Sequence, residues 1–74
     1  MRVLLCEDDA LIASGIAQGL QMQNLVVDHV DTASAAWAML ETVAFDMMIL
    51  DLGLPDEDGL QLLSRMRKAG HDFP

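Results

Sequence analysis

Met47-Met48-Ile49-Leu50-Asp51-Leu52-Gly53-Leu54-Pro55-Asp56-Glu57-Asp58-Gly59 is the stretch that decides the fold of this 74-residue chain. A short apolar run reads as a buried strand, and it ends on a carboxylate. Pro55, four residues on, and Gly59, eight residues on, then shape a loop and the start of a helix. The same pattern stands near the amino terminus, where Val3-Leu4-Leu5-Cys6 runs into Glu7-Asp8-Asp9. Two apolar strands that both end in acids suggest a site for a divalent metal.

Working outward, residues 2 to 6, 25 to 30 and 46 to 51 read as strands, each a short aliphatic run bounded by acidic, Asn or Gly punctuation. Three helices alternate with them. Asp9 can cap the first, whose inner face is Ile12, Ile16 and Leu20 with Ala13 and Ala17 beside them, ending near Gln23-Asn24. Thr32 or Ser34 can cap the second, with the stripe Ala36, Trp37, Leu40, Val43 and Ala44. The third starts at Asp58-Gly59 and turns Leu60, Leu63 and Met66 inward, with Arg65, Arg67 and Lys68 in its last turn, where cations suit the helix dipole. Gly70 is its stop. Continuous apolar strands alternating with helices predict an α/β fold of three layers, a doubly wound parallel sheet covered on both faces, in the order βαβαβα.

Composition narrows the function. Twelve acidic residues against four basic ones give a net charge of -8, which repels nucleic acid and anionic membrane and favours cations or basic partner surfaces. No stretch of about 18 apolar residues is present, and Gly15 and Gly19, a GxxxG pair beside Gln18 and Gln21, read as incidental packing. Cys6 is the only cysteine, so no internal disulfide forms, and the chain reads as an intracellular, cytoplasmic module of one small domain.

In open parallel sheets, ligands gather at the carboxyl ends of the strands beside the point where strand order reverses. The first and third strands flank that point, so Glu7 and Asp8 are expected beside Asp51. Clustered carboxylates repel, and a cation is needed to keep all of them ionised. Magnesium suits a few hard oxygen ligands and keeps an open side toward phosphate oxygens. Taken singly, each acid has a bland explanation: Glu7, Asp8 and Asp9 start a helix, and Asp51 ends a strand. Taken with the loop after Asp51, the site is the better account.

These motifs, the acidic pair after the first strand, MMILDLGLPDEDG around Asp51, and an amphipathic third helix ending before Phe73-Pro74, make the chain resemble the receiver domain of bacterial two-component response regulators along its whole length. The wording around Asp51 is most similar to receivers that precede a winged-helix DNA-binding domain. The resemblance implies a flavodoxin-like fold and a role in transcription regulation in the full-length protein. It makes Asp51 the phosphoacceptor, attacking the phosphohistidine of a sensor histidine kinase. It makes Asp8 a direct Mg2+ ligand, has Glu7 act mainly through a metal-bound water, and has the Gly53 backbone carbonyl complete the protein ligands. Asp9 is expected to be a helix cap, and Asp56, Glu57 and Asp58 a solvated acidic loop. His29 and His71 have no metal-ligand spacing and no expected role.

Receivers of this family continue with two more strand and helix units carrying a Ser or Thr, a Lys and an aromatic switch residue. The resemblance therefore implies a receiver truncated after its third helix, with phosphotransfer by these 74 residues alone weak or absent. In the family's 2-1-3-4-5 strand order the third strand is then a bare apolar edge, so a homodimer or larger assembly through that edge is expected. Two other readings stand beside the signalling module: an inert or assembly-forming fragment, and a Mg2+-dependent aspartyl-phosphate phosphohydrolase. The last would place a second aspartate two positions after the first, where this chain has Gly53. The expectation is a signalling module and not an enzyme.

Overall fold

The alternation of apolar runs and amphipathic stripes is realised in the computed structural model, which describes all residues from Met1 to Pro74. The elements are β1 (Arg2–Cys6), α1 (Ala10–Met22), β2 (Val26–Val30), α2 (Ala33–Thr42), β3 (Met47–Leu50) and α3 (Gly59–Lys68). All three strands are parallel in the order β2-β1-β3, with Leu5 flanked by His29 and Ile49 and Cys6 by Val30 and Leu50. The expected strand bounds agree with these to within a residue. This is the flavodoxin-like arrangement, with β1 at its centre.

Central position explains why Val3, Leu4, Leu5 and Cys6 are all fully buried. Strand alternation sends Leu4 and Cys6 to one face, where Ala33, Ala36, Leu40, Phe45, Leu54, Leu62 and Met66 join them in the main core beneath α2 and α3. Val3 and Leu5 take the other face, on the side where α1 packs across β1 and β2. Each fully buried Leu stabilises the fold by about 1.5–3 kcal/mol relative to leaving it exposed. Burial also pushes the Cys6 thiol up to about 12, so it stays protonated and acts as a small packing group. No helix is long and apolar enough to cross a membrane.

The helices sit rotated from their expected faces. In α1, Ala13 is the buried residue and Ile16, Ala17 and Leu20 are half-buried, but Ile12 is 52% exposed. A row of residues four apart drifts around a 3.6-residue helix, so the Ile12, Ile16, Leu20 row cannot stay on the sheet, whereas 13, 16, 17 and 20 can. In α3 the buried line is Gly59, Leu62 and Met66, while Leu60 is 57% exposed. The close seat of Gly59 on Asp51 and Leu52 of the preceding loop turns the helix this way. Ala33 is a buried α2 residue that the expected stripe omits, while Val43 and Ala44 lie beyond the helix end, Ala44 exposed.

Caps behave as expected. Thr32 Oγ1 accepts the Ala35 N–H at 3.1 Å, and the α3 exit has Gly70 at φ 94°, a left-handed value that suits glycine at a helix C-terminus. The tail then departs from the bare-edge expectation. Arg67 Nη1 donates to the carbonyls of His71 and Phe73, and Met48 N–H donates to the Pro74 carbonyl at 2.9 Å. One rung on the outer edge of β3 is therefore already taken.

Candidate functional site

Because β1 and β3 are parallel neighbours, the residues that follow them emerge at the same end of the sheet. The ladder continues one rung past each strand: Asp51 N–H donates to the Cys6 carbonyl at 2.9 Å, and Glu7 N–H to the Val30 carbonyl at 3.1 Å. These rungs bring Glu7, Asp8 and Asp51 together, with one carboxylate oxygen of each lying within 4.8 Å of the others. Glu7 and Asp51 are half-buried and Asp8 is exposed, so the cluster is open to solvent on one side.

Backbone amides orient the carboxylates. Asp51 Oδ1 accepts the Gly53 N–H at 3.0 Å, and Glu7 Oε1 accepts the Asp9 N–H at 3.1 Å. The Gly53 N–H holds the Asp51 carboxyl below the usual carboxylate range. Partial desolvation opposes this. Chemically, this is a set of hard oxygen donors at the mouth of a parallel sheet, able to hold a divalent cation beside an ionised aspartate.

Asp9 stands apart from the three. Its Oδ1 accepts the Leu11 and Ile12 N–H groups at 2.9 and 3.1 Å, so it caps α1 as expected. The acidic run after Pro55 is a loop with Asp56 and Asp58 exposed, as expected, but its carboxylates are also tied to neighbouring helices. Asp56 reaches across to α2, its Oδ1 taking the Ala33 N–H at 2.8 Å and its Oδ2 the Ser34 N–H at 3.0 Å. Glu57 binds Arg65 in a two-pronged ion pair, N···O 2.7 and 3.1 Å, and the same guanidinium lies 4.9 Å over the Trp37 ring. Asp58 caps α3 through the Leu60 N–H at 2.9 Å. The loop after Asp51 is thus tied to both helices on its face of the sheet.

His71 packs edge-on to Trp37 and Phe73 and lines a 460 Å³ pocket with Phe45 and Asp72. His29, given no role by its spacing, does reach the site: its Nε2 lies 2.8 Å from the Glu7 carbonyl. No sequence pattern signals the Asp56 and His29 contacts, which join residues 22 to 23 positions apart through a side chain and a backbone group.

The two helix N–H groups keep the Asp56 carboxyl below its ordinary value. A depressed folded-state pKa gives stability that is present above the unfolded value, about 4, and is lost as pH falls through the folded value. Asp56→Ala is expected to lower the melting temperature by about 5 °C at pH 7, the size of a lost helix cap in a domain this small. Circular dichroism melts across pH should show that gap narrowing below about pH 4. A gap that stays constant with pH would rule out the charge-linked clamp.

Comparison with known proteins places this geometry. Residues 3–74 match the sequence model described as the response regulator receiver domain. The chain is 40% identical over 74 residues to the transcriptional regulatory protein BasR of Escherichia coli K12, covering all of this chain and 33% of BasR. It thus spans about a third of the length of the curated relatives it matches. Among solved structures, a Francisella response regulator 1452 receiver domain superimposes with TM-score 0.95 at 26% identity, over 99% of this chain and 60% of that one. The response regulator TrrA of Thermotoga maritima, solved in complex with the histidine kinase ThkA, gives TM-score 0.90 at 25% identity, over 97% of this chain and 62% of that one.

Proposed function

This chain belongs to the response regulator receiver domain family, and from that premise we propose that Asp51 is the phosphoacceptor of a two-component signalling relay. The observation that carries the reading is the convergence of Glu7, Asp8 and Asp51 within 4.8 Å at the carboxyl ends of β1 and β3. In the proposed reaction an Asp51 carboxylate oxygen attacks the phosphorus of a kinase phosphohistidine. The O–P bond forms, the N–P bond breaks, and its electron pair returns to the imidazole. The Gly53 N–H keeps the nucleophile oriented and ionised, which a weak nucleophile such as a carboxylate requires.

All the donors in the cluster are oxygens, two of the carboxylates are held by backbone amides, and one side is open, a combination that fits Mg2+. In this reading Asp8 and Asp51 bind the ion directly, Glu7 acts mainly through a water, and the Gly53 carbonyl completes the protein ligands. The bound ion supplies neutralisation of charge on the phosphoryl oxygens. Leu11, Ile12, Leu52 and Leu60 are all exposed in the first turns and loop that flank the acids, an apolar rim for a sensor histidine kinase to dock on. TrrA, solved with its kinase ThkA, supports that class of partner.

We further read residues 1–74 as the amino-terminal portion of a receiver domain in a cytoplasmic transcriptional regulator. The relatives' names support the transcriptional role, and the shares of their chains that are covered support a partial receiver. The outer edge of β3, with Met48, Leu50, Leu63 and Phe73 lining a 230 Å³ apolar pocket beside it, is the proposed surface for a homodimer or larger assembly.

Incubation of the full-length protein with Mg2+ and acetyl phosphate tests the phosphoacceptor. Mass spectrometry should detect one added phosphoryl group, absent in Asp51→Asn. Uptake that survives Asp51→Asn, or no uptake in either protein, overturns the reading. Light scattering on the 74-residue chain reads the assembly, which a monomer at every concentration would exclude.

A further inference from the structure

Parallel strands alternate their rungs, and on the β1–β2 ladder Glu7 N–H donates to the Val30 carbonyl. The next rung in that series would run from Thr32 N–H to the Glu7 carbonyl. It is not made, because the chain bends at Asp31 and Thr32 turns away to cap α2. The Glu7 carbonyl is instead met by the His29 ring, Nε2 to O 2.8 Å. A carbonyl oxygen only accepts, so Nε2 carries the hydrogen.

We propose that His29 is a positioning residue for the acidic cluster, its ring standing in for the missing rung and fixing the Glu7–Asp8 peptide. The inference rests on the metal-binding reading of Glu7, Asp8 and Asp51. The Glu7 carbonyl belongs to a planar unit that includes the Asp8 nitrogen, so a hydrogen bond to it sets the direction in which the chain enters Asp8. Together with Val30 on the Glu7 N–H and the Asp9 N–H on Oε1, the His29 contact restrains Glu7 at three points. The His29 contact adds to the other two in aiming both acids at Asp51 where the loop leaves the sheet. His29 touches neither ion nor phosphoryl group, and acts through the backbone of the residues that do.

The test measures Mn2+ affinity of the full-length protein by electron paramagnetic resonance of the free ion, with Mn2+ replacing Mg2+ at an all-oxygen site. Partners that orient metal ligands change affinity by about 10–100-fold, and His29→Leu, which lacks a donor, is expected to weaken Mn2+ binding about 10-fold. His29→Gln places an amide nitrogen at the same bond count from Cα as Nε2 and should restore affinity to within about twofold of wild type, well below that range. Metal-free melting temperatures should be the same for all three proteins. Wild-type affinity in His29→Leu overturns the inference, as does a loss in both variants or a loss that tracks a fall in metal-free melting temperature. Asp8→Asn is the control: no Mn2+ binding by wild type, or full binding by Asp8→Asn, overturns the metal-site reading itself.

Discussion

Gly59→Ala should be among the most damaging single substitutions in this chain. A Cβ at position 59 would sit 2.8 Å from Leu52 Cα and 2.9 Å from the Asp51 carbonyl oxygen, with Leu52 Cδ2 at 3.1 Å. The two nearest atoms are backbone, so no rotamer change relieves the overlap and the loop after β3 must move. That loop also carries the bond from Gly59 N–H to the Leu52 carbonyl at 3.1 Å, and Asp51 lies at its root. Overpacking of this kind costs about 1–3 kcal/mol, and a clash with fixed backbone belongs at the upper end. In a domain of this size, that lowers the melting temperature by on the order of 10 °C or more. Gly53→Ala is the contrast: its Cβ would meet only Asp51 Oδ1, at 3.7 Å, an ordinary contact, and its stability should stay within about 0.5 kcal/mol of wild type. Thermal melts of the two variants check the pair, and equal losses would dissociate the damage from the close approach of α3 to Asp51.

The same glycine shows where sequence reasoning succeeds and where it stops. Strand positions and the meeting of Glu7, Asp8 and Asp51 were legible because an apolar run ending in acid carries its own punctuation, and parallel strands must deliver their ends to one side, while the sheet order came with the family resemblance. The helix faces were legible only to within a neighbouring row. Leu60 and Leu62 are equally apolar, and what places Leu62 inside is the seat of Gly59 against Leu52 and Asp51, a tertiary contact that helical spacing does not encode. The acidic run at 56 to 58 reads as a solvated loop because nothing local distinguishes Asp56 from its neighbours. Its role lies in two α2 amides 22 and 23 residues away. His29 is the same case at the other edge of the site: a ring replaces a missing backbone rung, and no motif marks it.

The cluster itself sets up an inversion that a single pair of melts can detect. Without a cation, Glu7, Asp8 and Asp51 repel one another across less than 4.8 Å, in a chain already at net charge -8. Asp8→Asn removes one charge from that group and keeps its shape, so in chelator it should melt a few degrees above wild type. In Mg2+ the order should reverse. A ligand that binds only the folded state at 100 times its Kd stabilises by about 2.7 kcal/mol, which in a domain this small raises the melting temperature by on the order of 10 °C. Wild type should gain that increment, and Asp8→Asn only a fraction of it. Losing a direct ligand and its charge weakens binding by at least the 10–100-fold that outer partners alone command, so at the same Mg2+ concentration the variant gains at most about half of the wild-type increment. Melts of both proteins in EDTA and in Mg2+ read the crossing directly. Parallel shifts in the two proteins would mean that Mg2+ acts elsewhere on the acidic surface, and a variant less stable than wild type even in EDTA would show that Asp8 supports the fold by contacts other than the cluster.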